Sequence, residues 1–157
     1  MSGQQAFVLG VGNAICGDDG IGPRVVDYLE QNRLDQSFGL VDVGGDGLKM
    51  LHYLNDSVEK ILIVDTAFMG MNAGDYRLFS PDDVASSKTQ DSLSTHGGDV
   101  IKILELGKRV GYNIPPIRIM GIEPANVSQC LEISPALQDR LPDYAKVIAE
   151  EIQRDWS

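Results

Sequence analysis

Apolar and polar positions follow one another along this chain in two rhythms. Short apolar runs end at Gly, Asp or Glu, and amphipathic stretches follow most of them. Residues 6–11 (AFVLGV) form a run that stops at Gly12-Asn13 and reads as a buried strand. Residues 20–31 place Ile21, Val25 and Leu29 four apart, with Pro23 in the first turn, and predict a helix. Residues 38–43 predict a second strand. Residues 47–54 carry Leu48, Leu51 and Leu54 at helical spacing. Residues 60–64 (KILIV) are the most apolar strand and stop at Asp65. Residues 75–79 predict a fourth strand after the turn at 72–74. A helix is expected from Asp99 to Gly107 or Gly111, then a fifth strand over 117–122. From 135 to 156, Leu137, Leu141, Ala145, Ile148 and Ile152 make one apolar stripe. Pro142 either sits in an early turn of that helix or divides it in two.

Apolar strands alternating with amphipathic helices predict an α/β protein: a three-layer α/β/α sandwich around a twisted, mostly parallel five-stranded sheet. A length of 157 residues suits a single domain over 1–157. The polar segment 80–98 is the exception to the rhythm. It is expected to be a long loop, and loops of that length are usually functional or mobile.

Composition narrows the function classes. Apolar residues make up 43% and charged residues 23%, which excludes disorder for the bulk of the chain. With 13 Lys and Arg against 23 Asp and Glu, the net charge is −10. That balance argues against nucleic acid and against anionic membranes. It permits cationic partners, although solubility alone accounts for most of it. Cys16 and Cys130 make no disulfide scaffold, which points to a reducing compartment. Both are read as buried thiols rather than nucleophiles. With no signal-like or membrane-spanning stretch in view, a cytoplasmic protein is expected. Size and charge alone suggest a monomer.

Ligands of an open parallel sheet bind beyond the carboxyl ends of its strands. Following each predicted strand, that edge receives Asn13, Asp18 and Asp19, then Asp42, then Asp65, then Glu123. A single Asp there caps a helix or a turn. Several together repel one another unless a cation or a proton sits among them. Asp18 is read as the helix cap, which leaves Asp19 free to face the edge. His96, in Ser94-Thr95-His96-Gly97-Gly98, lies at the end of the long loop, where Gly97 lets the backbone approach another segment closely. His96 is either a surface loop residue or a ligand. His52 is read as a surface or boundary residue. Asp19, Asp65 and His96 would form a mixed oxygen and nitrogen set suited to a divalent transition metal. Gly10-Val11-Gly12 resembles a dinucleotide fingerprint only in part, because Ile15 stands where its third glycine belongs.

The run Gly10-Val11-Gly12-Asn13 with Asp18-Asp19-Gly20-Ile21-Gly22 resembles the opening signature of the hydrogenase maturation proteases. The likeness continues through Ile63-Val64-Asp65, Ser94-Thr95-His96, Gly121-Ile122-Glu123-Pro124 and Ile133-Ser134-Pro135, over roughly residues 6–150. Ala14, Cys130 and Glu132 depart from common family residues. The resemblance implies a phosphorylase/hydrolase-like sandwich and an endopeptidase. Its substrate would be the large-subunit precursor of a nickel–iron hydrogenase, trimmed at the C-terminus after nickel insertion. It implies Asp19, Asp65 and His96 as catalytic and metal-contacting residues, with nickel supplied by the substrate. Asn13, Asp18, Asp42, Gly97 and Glu123 would support them or contact substrate. Two mechanisms stay open: a metal-activated water or carboxylate base attacks the peptide, or a carboxylate pair works as in aspartic proteases. A non-catalytic chaperone of the nickel-loaded precursor is the alternative function.

Overall fold

The computed structural model describes residues 5–13, 16–34, 37–45, 47–86, 95–125 and 132–156, with the side chains of 84–86 and 95–99 outside the description. Five strands form one sheet: β1 (Gln5–Val11), β2 (Gly39–Gly44), β3 (Val58–Thr66), β4 (Tyr76–Phe79) and β5 (Ile117–Ile122). Their order is β2-β1-β3-β5-β4. The first four in that order run parallel, and β4 pairs antiparallel with β5. The central strand β3 is buried from Lys60 to Thr66, as a strand covered on both faces must be. Its even residues, Leu62 and Val64, pack with α1 (Ile21–Gln31) and α5 (Leu141–Gln153). Its odd residues, Ile61 and Ile63, pack with α3 (Thr95–Arg109) and the 3-10 helix Gly47–Tyr53. The three-layer sandwich expected from the alternation is the fold observed.

Two expectations need correction, and one open choice is decided. The segment 47–54 is a 3-10 helix rather than an α-helix. Its apolar residues recur every third position, which fits three residues per turn. The stretch 80–98 is not one loop: α2 (Pro81–Ser86) occupies its start, and α3 begins at Thr95 rather than Asp99. Gly97 and Gly98 are therefore helical, because packing of the Val100, Ile101, Ile103 and Leu104 stripe against the sheet outweighs their weak propensity. The last stripe is divided: α4 (Pro135–Gln138) stops before Pro142, which opens α5 in its first turn, where its missing N–H costs nothing.

Two contacts set the layers' spacing. Gly22, at the start of α1, lies directly on the sheet: a methyl on it would meet the Val11 and Val64 carbonyls and the Val11 nitrogen. Gly10 faces it from β1, and its own methyl would meet the Gly22 carbonyl. The helix thus starts against bare backbone. In the same layer, Tyr144 of α5 is fully buried and donates its hydroxyl to the Gly74 carbonyl at 2.5 Å. Burial pushes that hydroxyl's pKa up to about 12, partly offset by the adjacent Arg140 guanidinium.

Two outcomes follow from these contacts. Gly22→Ala should cost about 1–3 kcal/mol, because backbone on three sides cannot give way; the shift in urea midpoint measures it. Tyr144 is protonated in the folded state up to about pH 12, whereas in the unfolded chain it ionises near 10. Its contribution is therefore complete below pH 10 and lost as pH rises toward 12. Tyr144→Phe should flatten the fall of stability above pH 10 relative to the wild type, read from urea midpoints between pH 8 and 11.5.

Candidate functional site

The carboxyl ends of β1, β2, β3 and β5 share one edge because the four strands are parallel. At the end of β1 the chain turns at Gly12, whose φ is +142°, and a side chain there would collide with the Asp19 carbonyl. The chain then folds back through the 3-10 turn Gly17–Gly20 into α1. That return brings Asp19 over the end of β3. Its Oδ2 accepts the Asn13 backbone N–H at 3.2 Å, and its Oδ1 accepts the Thr66 hydroxyl at 3.2 Å.

Asp65 occupies an odd position of β3 and so belongs to the α3 face. Its Oδ1 accepts the Thr66 backbone N–H at 2.8 Å and lies 3.4 Å from the Thr66 hydroxyl. Asp19 is 8% exposed and Asp65 is 2% exposed. One hydroxyl with one proton thus stands between two nearly buried carboxylates. Charge held this closely favours a cation or a proton beside it. Asp65 also lines a small cavity with Val100 of α3, Ile119 and Phe79. His96 stands in the first turn of α3, one helical turn before Val100, and not in a loop ahead of the helix. The side chain of His96 lies outside those described, and Gly97 follows it in the same turn. Among the described residues no group of three His, Cys, Asp or Glu gathers to hold a metal. The described part of the proposed set is therefore its carboxylate pair.

Asp18 does not cap a helix. The N-cap of α1 is Gly20, with no side-chain bond. Asp18 is fully buried, and its carboxylate accepts the Ser134 N–H at 2.6 Å, the Ser134 hydroxyl at 2.8 Å and the Ala125 N–H at 2.7 Å. It ties the 3-10 turn to the segments after β5 and before α4. Glu123 is nearly buried just beyond β5, and its Oε1 accepts the Met69 N–H at 2.7 Å and the Met71 N–H at 3.1 Å. Asp42 shares the edge but not the face. It pairs with Gly10, which pairs with Val64, so it belongs to the α1 side, opposite Asp65, and it is exposed. The Asn13 backbone N–H donates to Asp19. Cys16 is half-buried rather than buried, Cys130 lies outside the described residues, and His52 is exposed as expected. Thr66 was not anticipated. As a β-branched residue ending an apolar strand, it reads as strand and nothing more.

The sequence profile of the hydrogenase maturation proteases matches residues 23–151. The HupD hydrogenase expression/formation protein of Rhodobacter capsulatus is 25% identical over 98% of this chain and 73% of its own length. A Methanocaldococcus jannaschii protein whose name carries the same protease family is 30% identical, over 78% of this chain and 80% of its own. The HoxM protein of Cupriavidus necator is 26% identical, but the match spans only 57% of its length. The fold matches that of the hydrogenase maturating endopeptidase HybD from E. coli with a TM-score of 0.78 at 20% identity, covering 96% of this chain and 93% of that one.

Removing the shared hydroxyl tests the carboxylate pair. Thr66→Val should lower stability by about 1–3 kcal/mol, since two buried acceptors lose their common donor. Thr66→Ser should restore most of it. Urea denaturation of the three proteins compares them directly.

Proposed function

Because this chain belongs to the hydrogenase maturation protease family, we propose that it cuts a C-terminal extension from the large-subunit precursor of a nickel–iron hydrogenase once nickel is in place. The family makes it an endopeptidase acting in hydrogenase maturation. The observation that carries the finer reading is the Asp19–Thr66–Asp65 cluster at the carboxyl edge of the sheet.

Two buried carboxylates offer hard oxygen ligands to a divalent cation, and a histidine adds a borderline nitrogen. Nickel here is cargo of the substrate. Asp19, Asp65 and His96 would fill coordination positions that the precursor leaves open. Nickel insertion would then decide whether the precursor docks productively. Cleavage consumes one water. Its oxygen bonds to the scissile carbonyl carbon, a carboxylate takes its proton, and the departing amine receives a proton as the C–N bond breaks. The carboxylate pair supplies the base whether the metal activates the water or only recognises the site. Among the described residues no helix is long and apolar enough to cross a membrane. The reading includes a monomeric cytoplasmic enzyme whose partner is a protein, and the net charge of −10 favours neither nucleic acid nor an anionic membrane.

Intact-mass measurement of the precursor tests this reading. The nickel-loaded precursor should lose a C-terminal fragment, and the nickel-free precursor should not. Asp65→Asn and His96→Ala should slow that loss by about 100-fold or more while remaining folded. Complex formation with no mass loss would make the protein a chaperone of the precursor. Equal cutting of the nickel-free form would remove nickel from recognition.

A further inference from the structure

The β3–β4 connection exposes apolar surface that the fold does not use. Ala67 is buried and continues the sheet by donating to the Ile122 carbonyl at 3.0 Å. Phe68 then turns out to solvent at 43% exposure, and Met69 and Met71 are half-buried. Between Thr66 and Asp75 there is no charged residue, in a chain of net charge −10. Gly70 lies between the methionines with φ of +72° and open space around it.

This apolar loop is held rather than left loose. The Glu123 carboxylate bonds the N–H groups of both Met69 and Met71. The Glu123 main chain bonds Gly74 and Asp75 at the loop's far end, both at 2.8 Å. A nearly buried carboxylate thus fixes a short apolar ledge that starts three residues after Asp65. An extended chain spans at most about 3.6 Å per residue, so the Cα atoms of Phe68 and Asp65 lie within about 11 Å of one another.

We propose that the 68–71 loop is a docking ledge for an apolar side chain of the precursor close to the bond being cut, with Glu123 as the positioning residue that sets the ledge. The proposal rests on the precursor reading above, since its occupant is the same polypeptide. The occupant follows from place: the ledge begins three residues after Asp65, within the reach of about three residues of a peptide whose scissile bond lies at Asp19 and Asp65. Exposed aromatic and Met side chains flanked by polar surface mark sites of association. Methionine adapts to side chains of differing shape. Prior fixing of the loop by Glu123 lowers the ordering cost of docking.

The test uses the full-length protein with the nickel-loaded precursor of its host's hydrogenase. Phe68→Ser should raise KM about tenfold, with kcat within about twofold and the melting temperature unchanged. Glu123→Ala should raise KM likewise, and Glu123→Gln, which keeps an acceptor oxygen, should recover most of the loss. Binding is measured separately in Asp65→Asn, which cuts about 100-fold more slowly, and adding Phe68→Ser there should weaken Kd by the same factor. Cutting by the wild type with KM and Kd indifferent to Phe68 would overturn the ledge. A precursor that binds through Phe68 but is never cut would sustain the ledge and overturn the protease reading. A precursor that neither binds nor is cut would overturn both.

Discussion

The close approach of α1 to the bare backbone of β1 and β3 is the contact on which the rest of the structure depends. Gly10 and Gly22 face one another with no room for a β-carbon on either. Because the helix begins so close to the sheet, the turn before it lies across the strand ends. Gly12 permits the same closeness one step later, against the Asp19 carbonyl. A side chain at any of these glycines would lift the turn and carry the Asp19 carboxylate away from Thr66. The opening motif therefore acts as a spacing device, and its glycines and Asp19 form one mechanical unit.

The sheet edge also shows how buried acids divide their tasks. Asp18 and Glu123 spend lone pairs on backbone N–H groups, Asp18 on Ala125 and Ser134, and Glu123 on Met69 and Met71. Such charge-assisted bonds are short and strong, and a buried carboxylate that accepts several of them is a staple. Asp19 and Asp65 instead meet at one shared hydroxyl, that of Thr66. They approach from opposite faces of the sheet, one from the α1 layer and one from the α3 layer. Their meeting at the end of the central strand is a property of the sandwich, since neither layer alone could deliver both.

The hydrophobic pattern made most of this fold legible. Each strand was recovered within two residues of its ends, because the alternation of two buried faces is a strong local signal. The errors fell where local signal and tertiary packing disagree. Gly97-Gly98 looked like a loop, yet an apolar stripe four residues on draws the segment into α3. Asp18 looked like a cap, since Asp before a helix usually is, yet partners more than a hundred residues away claim its oxygens. Asp42 and Asp65 both end strands, and only the register shows that they lie on opposite faces. Thr66 carried no signal, because a threonine that ends a strand is ordinary until two carboxylates are found on either side of it.

By itself the sequence determined the class of fold, the strands and their apolar faces, the edge at which acids gather, and a family likeness carried by ordered motifs. These are consequences of periodicity and of residue types at strand ends, and both are local. The tertiary structure decided which acids fasten distant backbone segments and which meet at the Thr66 hydroxyl. It assigned Glu123 to the 68–71 loop and made Thr66 the link between Asp19 and Asp65. The reason is physical. A carboxylate's role is set by the donors within about 3 Å of its oxygens, and here those donors come from segments far apart in the chain that meet only when the layers close.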